Sequence, residues 1–582
     1  MKHYLQKLVE SSLSILRNEQ EIDIPENQLV QIERTRENQY GDFASNIALT
    51  LTKQTGLKSK NLAVKITENL PESDFVEKID IAGPGFINFF LSRQANLQIV
   101  KDIHRDTEKF GHCNEGKGQS VLIEFVSTNP TGPLHVGHGR SAAYGASVAN
   151  LLDVTGFSVS REYYVNDAGR QMDILTISVW LRYLNMCEEK IAFPIRAYQG
   201  DYISEIAGQL FSENKQSLHV SPDGNIQDQW RQAEEEEELD QIISFAKNEL
   251  GQEKYNVVHL AALSNILDEI RDDLEEFGIH FDIWFSEQSL ISSNEVGNCI
   301  DKLKNSKNIY EKSGALWFKS TNYGDEKDRV VVRENGLITY FASDIAYHLN
   351  KYERGFNKVI NIWGADHHGY IARMKAALEA SGKEPDKLEI LLVQFAVLYR
   401  GKDRVPMGTR AGKYTTLRDL RKEIGNDAMR FFYITRKCEQ HLDFDLELAK
   451  SQSNDNPVYY IQYAHARICS VIQQMKDRGY EYDNDKAMEN LECLIDEHEI
   501  LLLKSLSRYP ELIISAATKY EPHQLAYYLR ELANDFHSYY NSIQFLIDST
   551  KLRLARICLI LATKQVIKNG LNILSISAPE KM

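Results

Sequence analysis

Hydrophobic positions along the chain switch between two periods. Ser120 to Val126 is an apolar, β-rich run, and the small-residue segment Ser141 to Leu152 that follows has a helical look, so residues 120–152 predict a strand, a turn and a helix. Earlier, Ile79 to Leu91 (IDIAGPGFINFFL) places Gly-Pro-Gly between two strand-like pieces. With the helix-like segments around it, this predicts a small α/β domain over residues 1 to about 105. Residues 180 to about 300 are largely helical in period and read as an insertion; the Glu234 to Glu238 run inside them is most simply a solvated helix face. Strand-like segments return at Ala315 to Lys319, Val330 to Arg333 and Lys358 to Trp363, interleaved with helical ones such as Ile371 to Ala380. That alternation predicts a parallel sheet. From Asp455 the chain is nearly all helical, and Leu501 to Leu506 and Leu552 to Leu561 are the core stripes of a bundle.

Composition narrows the setting. The 582 residues are 43% hydrophobic and 26% charged, a globular balance with room for roughly three to five domains. No apolar stretch approaches a membrane span, and the opening MKHYLQKLVESS is too polar for a signal peptide, so no membrane association is expected. Seven cysteines, at 113, 187, 299, 438, 469, 493 and 558, form no CxxC pair, which fits a reducing cytoplasm without structural zinc. A net charge of −16 argues against a nucleic-acid partner, but the charge is unevenly placed. Arg400 to Lys437 holds eleven Lys/Arg against four Asp/Glu, and Lys551 to Met582 six against one, whereas Glu481 to Glu499 is acidic. Any one cluster is most simply a solvated helix face; together they also suit steering of a polyanion onto chosen surfaces.

The turn after the first strand carries the strongest chemical signal, NPTGPLHVGHGRS at 129–141. A helix begins there, its first amides lack intrahelical partners, and the positive end of its dipole suits a phosphate, with Gly137 and Gly139 permitting close approach. His135 and His138, three apart, can face one ligand. Glu124 in the strand and Asp344 in the helix-like TYFASDIAYH are charges in apolar surroundings. Each alone is most often a salt-bridged structural residue; two converging beside a nucleotide site fit a cationic substrate, with a guanidinium suited to bidentate pairing. Asp366, His367 and His368 follow the strand Lys358 to Trp363 through Gly364, at the edge where open α/β sheets hold ligands. The adjacent histidines have no third ligand at metal-binding spacing, so purine and ribose contacts are the better reading. Arg404 to Thr416, RVPMGTRAGKYTT, is a basic Gly-rich loop of the kind that folds over polyphosphate.

Along nearly its whole length the chain resembles bacterial arginyl-tRNA synthetases, of class I. The motifs that carry the resemblance run in order: GDFASNIA, AGPGFINFFL, EFVSTNPTGPLHVGHGRS, EYYVNDAGRQM, ITYFASDIAYH, WGADHHGYIARMKAAL, GNDAMRFFY, HLDFDLELA, NPVYYIQYAHAR and the terminal SAPEKM. The resemblance implies an α/β fold with a Rossmann-like parallel sheet, divided into a tRNA-elbow domain at 1–107, catalytic halves at 108–180 and 301–400, a helical insertion at 181–300, a signature-loop and stem-contact region at 401–454, and a helical anticodon-binding domain at 455–582. It implies activation of L-arginine by ATP, with Mg²⁺ accompanying the nucleotide and no protein-bound structural metal. Transfer then follows to the 2'-hydroxyl of the terminal adenosine of tRNA(Arg), by a cytoplasmic monomer.

Residue roles follow by motif match. Glu124, Asn129, Tyr340, Asp344 and adjoining His368 line the arginine pocket; His135 and His138 meet the ATP phosphates; Gly137, Gly364, Asp366, His367 and Met407 hold the nucleotide. Phe86 and Asn88 touch the tRNA elbow, and Tyr459, Gln462, Tyr463, Arg467, Phe536, Tyr539, Tyr540 and Met582 the anticodon. One departure stands out: the second class I signature, usually KMSKS, reads Pro406 to Arg410 here and lacks both lysines. The lysine that some relatives place just before the first signature is also absent, since Thr131, Gly132 and Pro133 stand there. Among Lys402, Arg404, Arg410 and Lys413, the nearest candidates for the pyrophosphate cation are Arg410 and Lys413. A catalytically silent tRNA-binding paralogue is the rival reading.

Overall fold

The computed structural model describes residues 1–18, 23–25, 28–35, 37–191, 193–221, 236–405 and 415–582. Met407, Arg410 and Lys413 lie outside the described residues. At the N-terminus, helix Lys2–Asn18 buries Leu5, Val9, Leu13 and Leu16 along one face, the spacing of an amphipathic helix. That face joins a core with Phe43, Ile66 and Phe89, beside a four-stranded antiparallel sheet of β1 (Ile32–Arg34), β2 (Phe43–Ser45), β3 (Val76–Ala82) and β4 (Phe86–Leu91) in the order β1-β2-β4-β3. The Gly-Pro-Gly stretch is the β3–β4 hairpin turn, closed by Gly85 N–H donating to the Ala82 carbonyl at 3.1 Å.

Further along come β5 (Ser120–Glu124), β6 (Ser158–Val165) and β7 (Ile283–Ser286), then β8 (Ile309–Lys312), β9 (Ala315–Phe318) and β10 (Arg329–Val332), then β11 (Lys358–Gly364) and β12 (Leu388–Val393). A last small sheet is formed by β13 (Ala396–Arg400), β14 (Asp403–Arg404) and β15 (Leu442–Asp445). Five of these strands pair in parallel, in the order β12-β11-β5-β6-β7, which is a doubly wound sheet.

Two sequence expectations are corrected here. The segments at 315–319 and 330–333 do not enter the parallel sheet; β8, β9 and β10 form an antiparallel sheet of their own. The reason is the connection: Ser313 and Gly314, both at positive φ, make a two-residue turn between β8 and β9, and a parallel pairing would need a crossover of a dozen residues or more. Conversely, β7 falls inside the span read as a helical insertion yet completes the catalytic sheet, pairing Glu162 with Ile283 through Val165 with Ser286. Four residues are too few to show a period. The helices Asp201–Asn214 and Glu236–Glu276 therefore lie between β6 and β7, packed on helix Arg170–Met186.

The C-terminal part is a bundle of helices that includes Pro457–Asp477, Glu497–Ser507, His523–Ser542 and Thr550–Ile573, with Leu502, Leu503, Leu506, Leu554, Ile557, Leu559 and Ile560 buried. It docks directly on the catalytic part: Tyr144 of helix Val136–Val154 donates to the Tyr520 carbonyl at 2.7 Å, and buried Arg430 bonds the carbonyls of Phe277 and Leu574. Among the described residues no helix is long and apolar enough to cross a membrane.

Candidate active site

The order of the parallel sheet reverses between β5 and β11, and the carboxyl ends of those two strands open into a cleft of about 950 Å³. Just past β5 the backbone is strained. Val126 and Ser127 stand at φ of 69° and 43°, the left-handed region that a β-branched residue avoids. The bend is held by Tyr164 N–H on Ser127 Oγ at 3.1 Å and by Tyr163 Oη beside Thr128, and it leads the chain to Asn129 on the cleft wall.

His135 is the N-cap of helix Val136–Val154 and accepts the Gly137 N–H on Nδ1 at 3.0 Å, while His138 Nδ1 accepts the His135 N–H at 3.3 Å. The rings stack with centroids 3.6 Å apart. Burial lowers the pKa of both imidazoles, and the neighbouring His135 lowers that of His138 further, so both rings are neutral near pH 7. With Nδ1 accepting, each neutral ring carries its hydrogen on Nε2 and is a donor there. Gly137 is required by this cap: a Cβ would stand 2.7 Å from His135 Cε1. The basic loop is tied to the same turn, since Val136 N–H donates to Thr415 at 3.3 Å and Leu417 N–H to Leu134 at 2.8 Å.

The other end of the cleft is charged. On helix Tyr340–Glu353 the residues Asp344, Tyr347, His348 and Lys351 follow the i, i+3, i+4, i+7 spacing and make one polar stripe. Asp344 accepts from Tyr370 Oη; burial, with the charge of Glu124 adding to it, pushes its carboxyl up to about 7. Glu287, the first residue of a helix directly after β7, is likewise raised to about 7, by burial first and then by Asp344 and Asp167. It is 4% exposed, and its Oε2 has no hydrogen-bond partner among the described residues. Half-buried Asp344 lines the cleft; buried Glu287 is not among the lining residues, but it stands near enough that the charge of Asp344 raises its carboxyl.

Glu124 differs from both. Its Oε2 takes Lys351 Nζ at 2.5 Å, and Lys351 is fully buried. Sequence reasoning missed Glu287 and Lys351. The available signals were a carboxylate immediately after the strand-like FDIWFS, and a lysine seven residues after Asp344 on the same helix face.

The remaining expected residues divide. Tyr340, Gly364, Asp366 and His367 line the cleft, whereas His368 is exposed on the 3-10 turn Ala365–Tyr370 and is not part of its wall, which corrects its assignment to the arginine pocket. Phe86 is 39% exposed, but its neighbour Asn88 is buried in the sheet. On the bundle, Tyr459 stacks on Tyr463 with centroids 6.0 Å apart, and the Arg467 guanidinium lies over Tyr463 and Tyr540 at 4.4 and 4.7 Å, a half-exposed aromatic and cationic ladder. Met582 is exposed. Phe536 and Tyr539 belong to the bundle core with no exposed surface, so their assignment to RNA contact is corrected. Gln462 is corrected too: it is buried, and its amide already donates to Asp427 at 2.7 Å and to the Ser577 carbonyl at 3.0 Å, tying down the C-terminal tail.

Family models match three successive stretches: the arginyl tRNA synthetase N-terminal domain at residues 3–91, the catalytic domain of class I (R) tRNA synthetases at 99–441, and the DALR anticodon binding domain at 461–582. The chain is 54% identical to the arginine–tRNA ligase of Hydrogenovibrio crunogenus and 53% identical to that of Thioalkalivibrio sulfidiphilus, covering all of both chains in each case. Its fold is similar to the solved arginyl-tRNA synthetase of Thermus thermophilus, with a TM-score of 0.72 at 20% identity and full coverage of both chains. By its three domains and its full-length relatives, the chain belongs to the arginyl-tRNA synthetase family of class I.

Proposed function

We propose that this arginine–tRNA ligase divides its cleft by charge, with ATP on the neutral HVGH side and arginine laid from β5 toward β7. Strands of a sheet lie about 4.8 Å apart, so β5 and β7, two strands away, are separated by about 10 Å, the scale of an extended arginine. Glu124, ending β5, takes the α-ammonium beside Asn129. Asp344 and Glu287 take the guanidinium, for which paired carboxylates are the natural acceptors. The observation that carries this reading is half-buried Asp344 near buried Glu287, whose Oε2 has no hydrogen-bond partner among the described residues.

In the first step the arginine carboxylate attacks the α-phosphorus of ATP, forming arginyl-adenylate and releasing pyrophosphate. The Nε2–H donors of His135 and His138 and the first amides of helix Val136–Val154 stabilise the charge that gathers on the phosphate oxygens. Asp366 and His367 serve the nucleoside, and Mg²⁺ enters as part of the ATP substrate. In the second step the 2'-hydroxyl of the terminal adenosine attacks the arginyl carbonyl and AMP leaves. Lys413, two positions in sequence before the Thr415 that is bonded to Val136, supplies a cation for the pyrophosphate, with Arg410 as the second candidate. The Tyr459, Tyr463, Arg467 and Tyr540 ladder stacks unpaired anticodon bases.

Citrulline, the neutral near-isostere of arginine, provides the test. Arginine drives ATP–pyrophosphate exchange in the presence of tRNA(Arg) and citrulline does not; equal exchange with both amino acids removes the carboxylate pair from the guanidinium site.

A further inference from the structure

The stripe on helix Tyr340–Glu353 contains a group that neither step above uses. Lys351 is fully buried, with Nζ on Glu124 Oε2 at 2.5 Å, on Asn361 Oδ1 at 2.8 Å, and 4.2 Å from the centre of the Tyr347 ring. Asn361, next to Glu124 in the β5–β11 register, passes its own N–H to His348 Nε2 at 2.7 Å, and His348 in turn donates from Nδ1 to the Asp344 carbonyl at 2.8 Å. A continuous chain of hydrogen bonds therefore runs from the carboxylate at the head of the pocket to the backbone of the one at its tail.

A buried lysine beside a site for a dicationic substrate is a cost unless it has a task, because it repels both the α-ammonium and the guanidinium. Glu124 gives the task. A carboxylate at 6% exposure with no fixed partner has no single orientation to offer an ammonium. With Lys351 on Oε2 the Glu124 rotamer is fixed, and Oε1 takes no hydrogen bond from any described residue, on a side chain that lines the cleft. We propose that Lys351 is a positioning residue for the amino-acid head, holding Glu124 turned so that its second oxygen meets the α-ammonium; this rests on the reading of Glu124 given above.

The test compares arginine with 5-guanidinopentanoate, which is arginine without the α-amino group, as substrate and competitive inhibitor in ATP–pyrophosphate exchange with tRNA(Arg) present. Lys351→Met lowers the preference for arginine over the analogue by about tenfold or more, the worth of one charge-assisted bond, while Lys351→Arg keeps it. Glu124→Gln leaves Lys351 buried and unpaired, so it binds arginine more weakly than the double variant Glu124→Gln/Lys351→Met, in which two neutral groups replace the ion pair and the fold is spared an orphan charge. Equal losses for both ligands in Lys351→Met assign the lysine to holding the fold and overturn the proposal, as does a double variant that binds arginine no better than Glu124→Gln. A wild-type protein that activates arginine yet shows no preference for it over the analogue removes Glu124 from the α-ammonium, and the proposal with it.

Discussion

At the HVGH end of the cleft the two imidazoles are neutral and held by backbone amides, whereas the Asp344 end sets two buried carboxylates, Glu124 and Glu287, and the half-buried Asp344 against one lysine. The nucleotide end is complete before ligand arrives: each imidazole accepts an N–H on Nδ1, and the helix supplies its dipole without further adjustment. At the Asp344 end an oxygen of Glu287 has no hydrogen-bond partner among the described residues, and burial pushes the carboxyls of Asp344 and Glu287 up to about 7. On the function proposed above, one end is preorganised for a charge that develops during reaction, and the other is balanced by the substrate's cation. Disturbing the first end should therefore slow the chemistry, and disturbing the second should weaken binding.

The largest effect expected of that contrast falls on the rate. His138→Ala removes a donor aimed at the reacting phosphate and lowers the rate of adenylate formation by about 10²–10³-fold, with the arginine Michaelis constant little changed, as single-turnover kinetics would show. A smaller effect, confined to binding, belongs to the acids. Asp344→Asn and Glu287→Gln each weaken arginine by about 1.5–3 kcal/mol, roughly 10- to 150-fold, and leave the ATP Michaelis constant alone. A matching rise in the ATP constant would show that the two ends are not separate.

The same contrast explains what could be read from the chain. HVGH is a local device, in which cap, donors and helix start within a few residues, and its strand-turn-helix context was legible before any coordinates. Asp344 and Glu124 were legible as charges in apolar surroundings, but their partners were not. Glu287 comes near Asp344 only because the four-residue β7 joins the sheet, and Lys351 matters only because β11 brings Asn361 beside Glu124. The anticodon surface shows a different limit. Tyr463 and Tyr539 are chemically alike in sequence, but one lies on the half-exposed ladder and the other in the core, a distinction set by helix packing.

The most direct test is calorimetric titration with arginine at pH 7 in two buffers of different ionisation heat. Asp344 and Glu287 both titrate at about 7 in the free cleft, and a guanidinium favours their ionised forms. Binding therefore releases protons, and arginine affinity rises as pH increases through 7 and levels off above it. Binding without proton release, at an affinity flat from about pH 6 to about 8.5, would contradict the assignment of these two carboxylates to the substrate's cation.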